Sequence, residues 1–239
     1  MTPVVRKGTL PGRNELHVWQ IPLISRCQDL QDASKVLAVD ERQRAGRFRF
    51  DIHRSRYILT HAAVRRILGS YLDQDARSIL FEYSTYGKPA IPEHNISFNL
   101  SHAENHALFA LARSRVGIDI EFIRDINNLA ELIRMFSPNE QMELLSQPLD
   151  QRTRTFFQCW TRKEAYIKAL GLGFSLPLNS FDVSFTSSEP ARLRASRDPI
   201  VHADDWILYE VAVPPGYVAA AAIEAREPVA LHQFQWTWS

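Results

Sequence analysis

The chain has 239 residues, 28 Lys and Arg against 27 Asp and Glu, and a formal net charge of +1. A hydrophobic share of 45% with 23% charged residues is that of an ordinary globular protein, which excludes disorder, collagen-like repeats and a coiled coil. At this length the chain forms one large domain or two small ones and needs no disulfide or metal staple. The near-neutral balance argues against a surface that is all nucleic-acid footprint. Cys27 and Cys159 lie far apart with no CxxC spacing, which fits a reducing compartment. The N-terminus lacks the apolar stretch of a secretory signal, and the most apolar run, 217–223, is far short of the roughly 20 residues that span a bilayer. A soluble cytoplasmic protein without a membrane partner is expected.

Residues 1–14 carry Pro3, Gly8, Pro11 and Gly12 and read as a loosely ordered arm. Residues 16–23 (LHVWQIPL) alternate as a strand does, and 27–37 read as a polar helix. Residues 51–72 follow helical spacing, with Tyr57, His61, Val64 and Leu68 on one stripe and Gly69 as the stop. A short strand at 81–83 leads into the turn Tyr86-Gly87-Lys88-Pro89, and alternating runs at 96–100, 107–112 and 116–121 predict an antiparallel meander. In the second half a short helix falls within 127–136. Ser137, Pro138 and Glu140 then make a capping-box start. A long helix at 153–170 ends at Gly171, and strands follow at 181–185, 205–213 and 217–223, the last turned by Pro214-Pro215-Gly216.

The halves therefore repeat an order. Residues 67–69 and 169–171 each close a long helix, 102 positions apart, and strands follow each. A duplicated α+β unit is expected, with its junction near 115–121 and the cleft between the halves as the ligand site.

Three clusters carry candidate chemistry. In Gly117-Ile118-Asp119-Ile120-Glu121, a strand places Asp119 and Glu121 on one face with Ile118 and Ile120 behind them. Adjacent carboxylates repel unless a cation sits between them, and hard oxygen ligands of this type suit Mg²⁺; two solvated acids on an edge strand would read the same way. On the second long helix Trp160, Glu164 and Lys168 share a face bordered by Lys163, although a surface Glu–Lys pair is the plainer alternative. The third cluster is Phe98-Asn99-Leu100-Ser101-His102, preceded by Gly87-Lys88-Pro89. His102 and His106 are four apart, but no HExxH, Walker A loop or GxSxG elbow is present.

Basic residues are mostly Arg, with only Lys7, Lys35, Lys88, Lys163 and Lys168 as lysines. Residues 41–66 hold eight Arg against Glu41 and Asp51, a patch suited to a polyanion or an acidic protein. A nucleic-acid-binding module built on this patch, or a Mg²⁺-dependent phosphohydrolase built on the carboxylates, each accounts for part of the pattern.

Taken in order, GKP, FNLSH, GIDIE and WTRKEAYIKALGLGF resemble the signature of the 4′-phosphopantetheinyl transferases, in the larger monomeric type named for the surfactin-synthetase activator. The resemblance covers about residues 40–185. It implies an α+β fold of two similar lobes related by pseudo-twofold symmetry, each a small, mainly antiparallel sheet packed with helices. On the residue pattern the arm would span 1–14, the lobes 15–115 and 116–239, with the active site between them. The implied reaction moves 4′-phosphopantetheine from coenzyme A to a serine of an apo acyl, peptidyl or aryl carrier protein, releasing adenosine 3′,5′-bisphosphate. By the same resemblance Asp119, Glu121 and Glu164 hold Mg²⁺, or Mn²⁺ in its place. Lys168 contacts the pyrophosphate with Lys163 beside it, and Ser101 and His102 lie at the CoA phosphates. Gly87, Lys88 and Pro89 flank the adenine and ribose, while Arg56, and more weakly Arg44, contacts the 3′-phosphate. Asp119, Glu164, Lys168 and His102 are then the catalytic set, Glu164 with a second role as acceptor of the serine proton. A monomer that binds no nucleic acid is implied.

Overall fold

The computed structural model describes residues 8–24, 26–91, 93–173, 176–186, 189–198 and 202–238. In chain order come β1 (Glu15–Pro22), α1 (Cys27–Ser34), α2 (Val39–Gly46), α3 (Asp51–Leu72), β2 (Glu82–Tyr83), β3 (Pro89–Ala90), β4 (Ser97–Ala103) and β5 (His106–Ala112). The second half contains β6 (Val116–Phe122), α4 (Leu129–Ile133), α5 (Pro138–Leu145), α6 (Leu149–Leu170), β7 (Phe181–Val183), β8 (Leu193–Ser196), β9 (Trp206–Glu210), β10 (Tyr217–Glu224) and β11 (Ala230–Gln235). None of the described helices is long and apolar enough to cross a membrane.

Strand alternation builds the layers. On β5, Ala107, Phe109 and Leu111 face one way, toward Ile58, Leu59, Ala62 and Ile67 of α3. Leu108, Ala110 and Ala112 face the other way and share an apolar layer with Val116, Ile118 and Ile120 of β6 and Ala219 and Ala221 of β10. The far face of β10, through Ala220 and Ala222, packs with Phe156, Phe157 and Ile167 of α6. Helix, sheet, sheet and helix thus stack, and the near-continuous apolar run of β10 follows from burial on both faces.

The duplication is visible in the pairing. β1 pairs antiparallel with β5 and β5 with β4, while β6 pairs antiparallel with β10 and β10 with β9. In each half, therefore, a first strand, a long helix and a closing hairpin make the sheet in the same order. α3 and α6 both have 22 residues and end on a left-handed residue, Asp73 at φ 52° and Gly171 at φ 73°. These caps set the offset between halves at 98 positions, not the expected 102: Gly69 lies inside α3, where its carbonyl accepts from Gln74 N–H at 3.0 Å. Nearly the same offset relates two buried ion pairs, with 98 positions from Arg65 to Lys163 and 99 from Glu41 to Glu140. Arg65 of α3 meets Glu41 at 2.6 Å, and Lys163 of α6 meets Glu140 at 2.7 Å. Both glutamates stand at the third position of the short helix that precedes the long one, and both accept from the N–H just before that helix.

Three expectations differ. The meander breaks after β5, because β6 takes β10 as its ladder partner; β6 meets β4 through side chains, with Asn99 Oδ1 accepting from Ile118 N–H at 2.9 Å. A lobe running 116–239 does not hold at its end, since β11 joins the first sheet parallel to β1 and places Trp236 and Trp238 against the first core. Of the arm, residues 1–7 lie outside the described residues. Residues 8–14 are tied down, by Gly8 N–H to Ser70 O at 2.8 Å and by Arg113 Nε to Pro11 O at 3.1 Å.

Candidate active site at the junction of the halves

On β6 the face opposite the apolar layer presents Gly117, Asp119 and Glu121 toward α6. A side chain at Gly117 would run into the backbone of Ala165 and Ala169, so glycine there lets the helix lie directly on the strand. This close approach brings Lys168 Nζ to 2.6 Å from Asp119 Oδ1. Ser101 of β4 closes the triangle: its hydroxyl donates to Asp119 Oδ1 at 2.9 Å and accepts from Lys168 Nζ at 3.1 Å. A strand of the first half and a strand and helix of the second therefore meet at one carboxylate.

Asp119 is 4% exposed, and its Oδ2 is buried with no hydrogen-bond partner among the described residues. A buried carboxylate oxygen without a partner costs about 1–3 kcal/mol unless something fills the place. Glu121 is half-buried, and burial followed by the charge of Asp119 pushes its pKa up to about 6. Burial and then Asp119 also raise Glu164 above the usual carboxylate range. Asp119 thus raises both flanking acids, the electrostatic signature of a site that wants a cation, while the ligand oxygens of the three do not all lie within 4.8 Å of one another. Hard oxygen donors, one of them unsatisfied, fit Mg²⁺ or Mn²⁺.

Basic groups gather near Lys168 as well. Burial first, then Lys168, Arg56 and His53, lower the pKa of His102, which keeps access to solvent. Arg56 donates to Glu104 Oε2 at 2.9 Å and Asn105 Oδ1 at 3.0 Å, while its buried Nε has no acceptor among the described residues. An orphan donor on Arg56 and an orphan acceptor on Asp119, with Lys168 and His102 as electrostatic neighbours, suit an anionic ligand that carries its own metal.

A cavity of about 380 Å³ opens beside this centre. Arg44, Tyr57, His61, the turn Tyr86–Pro89 and Lys168 line it. The helical stripe read from the sequence is shared: Tyr57 and His61 turn to the cavity, Val64 lines it from the edge of the core, and Leu68 is sealed in the core. Asn99 of the FNLSH run lines it as well, together with Phe81 and Tyr83, which the sequence marked only as part of a short strand.

The matching family model is described as the 4′-phosphopantetheinyl transferase superfamily and spans residues 115–222. 4′-Phosphopantetheinyl transferase HetI of Nostoc sp. is 38% identical over 216 residues, covering 88% of this chain and 88% of the relative. 4′-Phosphopantetheinyl transferase Sfp of Bacillus subtilis is 32% identical over 206 residues, covering 83% of this chain and 88% of the relative. This chain belongs to the 4′-phosphopantetheinyl transferase family. A solved structure described as a Chronobacterium ammoniagenes ACPS-CoA complex aligns with 47% of this chain and 97% of its own at 18% identity and a TM-score of 0.36, too slight a likeness to add to this.

Within the transferase, Asp119, Lys168 and Ser101 are in direct contact, with Glu121, Glu164 and His102 coupled to them electrostatically. Gly87, Lys88, Pro89 and Arg44 line the cavity. Lys163 does not belong with them. It is fully buried, with Nζ bonded to Leu178 O at 2.7 Å and Phe181 O at 2.6 Å besides Glu140. Five positions on a helix turn Lys163 about 140° from Lys168, toward the core and away from the cleft. Lys88 differs in part. Its ammonium donates to the carbonyls of Val116, Lys168 and Ala169 at 2.8–3.0 Å, which leaves its stem and the turn backbone to line the cavity. It thereby ties the cavity turn to the last carbonyls of α6. The Arg-rich stretch is largely spent internally, on Leu37 O by Arg42, Asp51 by Arg54, Glu41 by Arg65 and Asp32 O by Arg66.

Proposed function

We propose that this enzyme transfers the 4′-phosphopantetheine group of coenzyme A to a serine hydroxyl of an apo carrier protein, releasing adenosine 3′,5′-bisphosphate. The observation that carries this reading is the buried, unpartnered Oδ2 of Asp119, whose other oxygen holds Lys168, a residue that lines the cavity. Asp119, Glu121 and Glu164 would hold Mg²⁺, which when bound neutralises charge on the pyrophosphate. The adenine end of coenzyme A takes the cavity lined by Tyr86, Gly87 and Pro89, and Arg44 and Arg56 reach its 3′-phosphate.

In the transfer, the serine oxygen forms a bond to the β-phosphorus while the bridging bond to the adenosine bisphosphate breaks. Lys168, anchored by Asp119 and Ser101, stands ready to stabilise charge on the leaving group, and His102 adds a donor beside it. Glu164 is the acceptor for the serine proton, directly or through a metal-bound water, although a carboxylate tied to Mg²⁺ is a weaker base than a free one. Such a reaction asks the protein chiefly for alignment and charge neutralisation, which is what this site offers.

The test is the intact mass of purified apo acyl, peptidyl and aryl carrier proteins after incubation with the enzyme, coenzyme A and Mg²⁺. A gain of one phosphopantetheine on at least one carrier, lost on omitting coenzyme A or adding EDTA, is the expected result. No gain on any carrier, with an active reference transferase in parallel, overturns the reading. The monomeric state is proposed with it and is checked by light scattering.

A further inference from the structure

The face of β1 that looks toward α3 carries a second cluster, at the edge of the first sheet opposite β4. Glu15 and His17 are two apart on β1 and project to the same side. The parallel register of β1 and β11 sets His232 directly beside His17, whose ring centroid is 5.3 Å away. Among the described residues this is the His, Cys, Asp and Glu group whose ligand atoms all lie within 4.8 Å of one another. Glu15 Oε2 and His17 Nε2 are 3.3 Å apart. Ligands about 2.0–2.1 Å from a tetrahedral zinc ion are separated by about that much.

The supporting groups are in place. Gly12 N–H donates to Glu15 Oε2 at 2.8 Å, and His17 Nδ1 lies 2.7 Å from the buried hydroxyl of Tyr71, which accepts from Trp19 Nε1 at 3.1 Å. A metal-binding imidazole is held in this way, one nitrogen fixed by an oxygen and the other presented to the ion. Glu15 and His232 keep solvent access, which supplies an entry path and a fourth position for water.

We propose that Glu15, His17 and His232 form a site for a divalent transition cation of the zinc class, which staples the C-terminal strand β11 to β1. Two imidazoles and one carboxylate favour such an ion over Mg²⁺, which prefers oxygen donors throughout. The site is separate from the acidic set of β6 and α6 and does not depend on the reaction proposed above.

The experiment uses tag-free, full-length protein in saturating Mg²⁺, titrated with Co²⁺ and then Zn²⁺. One equivalent of Co²⁺ with the visible bands of a four-coordinate ion, displaced by Zn²⁺, and a Zn²⁺-dependent rise in Tm are expected. His232→Ala should weaken Co²⁺ binding at least 100-fold, and Glu15→Gln about 10-fold, with the carrier-modification rate in Mg²⁺ unchanged in both. Because His17 is buried and its loss could disturb the sheet, the half-exposed His232 carries the test. Absence of Co²⁺ binding to the unmodified protein, or unchanged binding in His232→Ala, overturns the proposal.

Discussion

Lys163 and Lys168 stand five positions apart on α6, and each meets a carboxylate, Glu140 at 2.7 Å and Asp119 at 2.6 Å. Around Lys163 the ammonium has two carbonyls besides the acid, and Glu140 also accepts from Ser137 and Val183 N–H. Both side chains are wholly buried, and the network closes on itself. Around Lys168 one carboxylate oxygen is engaged and the other is left without a partner at the edge of a cleft, between two further acids. A satisfied pair holds structure together, whereas a pair with an unfilled place marks where a ligand goes. The first half supports this division: it repeats the closed pair as Arg65 and Glu41, whereas at the same offset Lys168 corresponds to Ser70 and Glu164 to Arg66. Duplication kept the structural pair in both halves, and only one half carries the acid and lysine of the cleft.

The largest effect that would break this comparison is on activity. Asp119→Asn should lower carrier-modification kcat/KM about 10³-fold, about 4 kcal/mol, with Tm little changed; a large drop in Tm with activity per folded molecule intact would reverse the two roles. Lys163→Ala should do the opposite, costing about 3–5 kcal/mol in urea unfolding because it leaves Glu140 buried and unpaired. A second change, Glu140→Gln in that background, should recover part of the loss.

Lys88→Met should remove about 2 kcal/mol of stability, read by thermal unfolding, because three carbonyls lose a charged donor. It should also slow transfer by loosening the turn of α6 that carries Lys168, and an unchanged rate would show that α6 needs no such tie.

The smallest effect has the opposite sign. Glu121 has a folded-state pKa raised to about 6 from 4.5, so its ionised form is destabilising above pH 6 and relieved as protonation proceeds down toward 4.5. Glu121→Gln should therefore stabilise the metal-free enzyme by about 1 kcal/mol at pH 7–8, with the difference from the parent vanishing near pH 4.5. Its transfer rate in Mg²⁺ should fall. A variant less stable than the parent at pH 8 would mean that Glu121 has a satisfied structural role.

Much of this molecule follows from short-range pattern. The capping box at Ser137, the left-handed glycine at 171, the alternation of β1 and β5 and the helical period of 51–72 need only neighbouring residues, so they were legible in the sequence. The i, i+2 spacing of Asp119 and Glu121 and the i, i+4 spacing of Glu164 and Lys168 likewise put the acids on one strand face and the acid–base pair on one helix face. Tertiary structure decided the rest. α2 and β11 are short and weakly patterned, and β11 finds its partner more than 200 positions back along the chain. Lys163 and Lys168 have the same chemistry on the same helix. What separates them is that Phe181 and Glu140 pack against one side of α6, while Gly117 lets the other side rest on β6. A local pattern can say which side chains share a face. Which face is sealed and which is left open depends on the element that packs against it, and that element is set by burial between residues far apart in the chain.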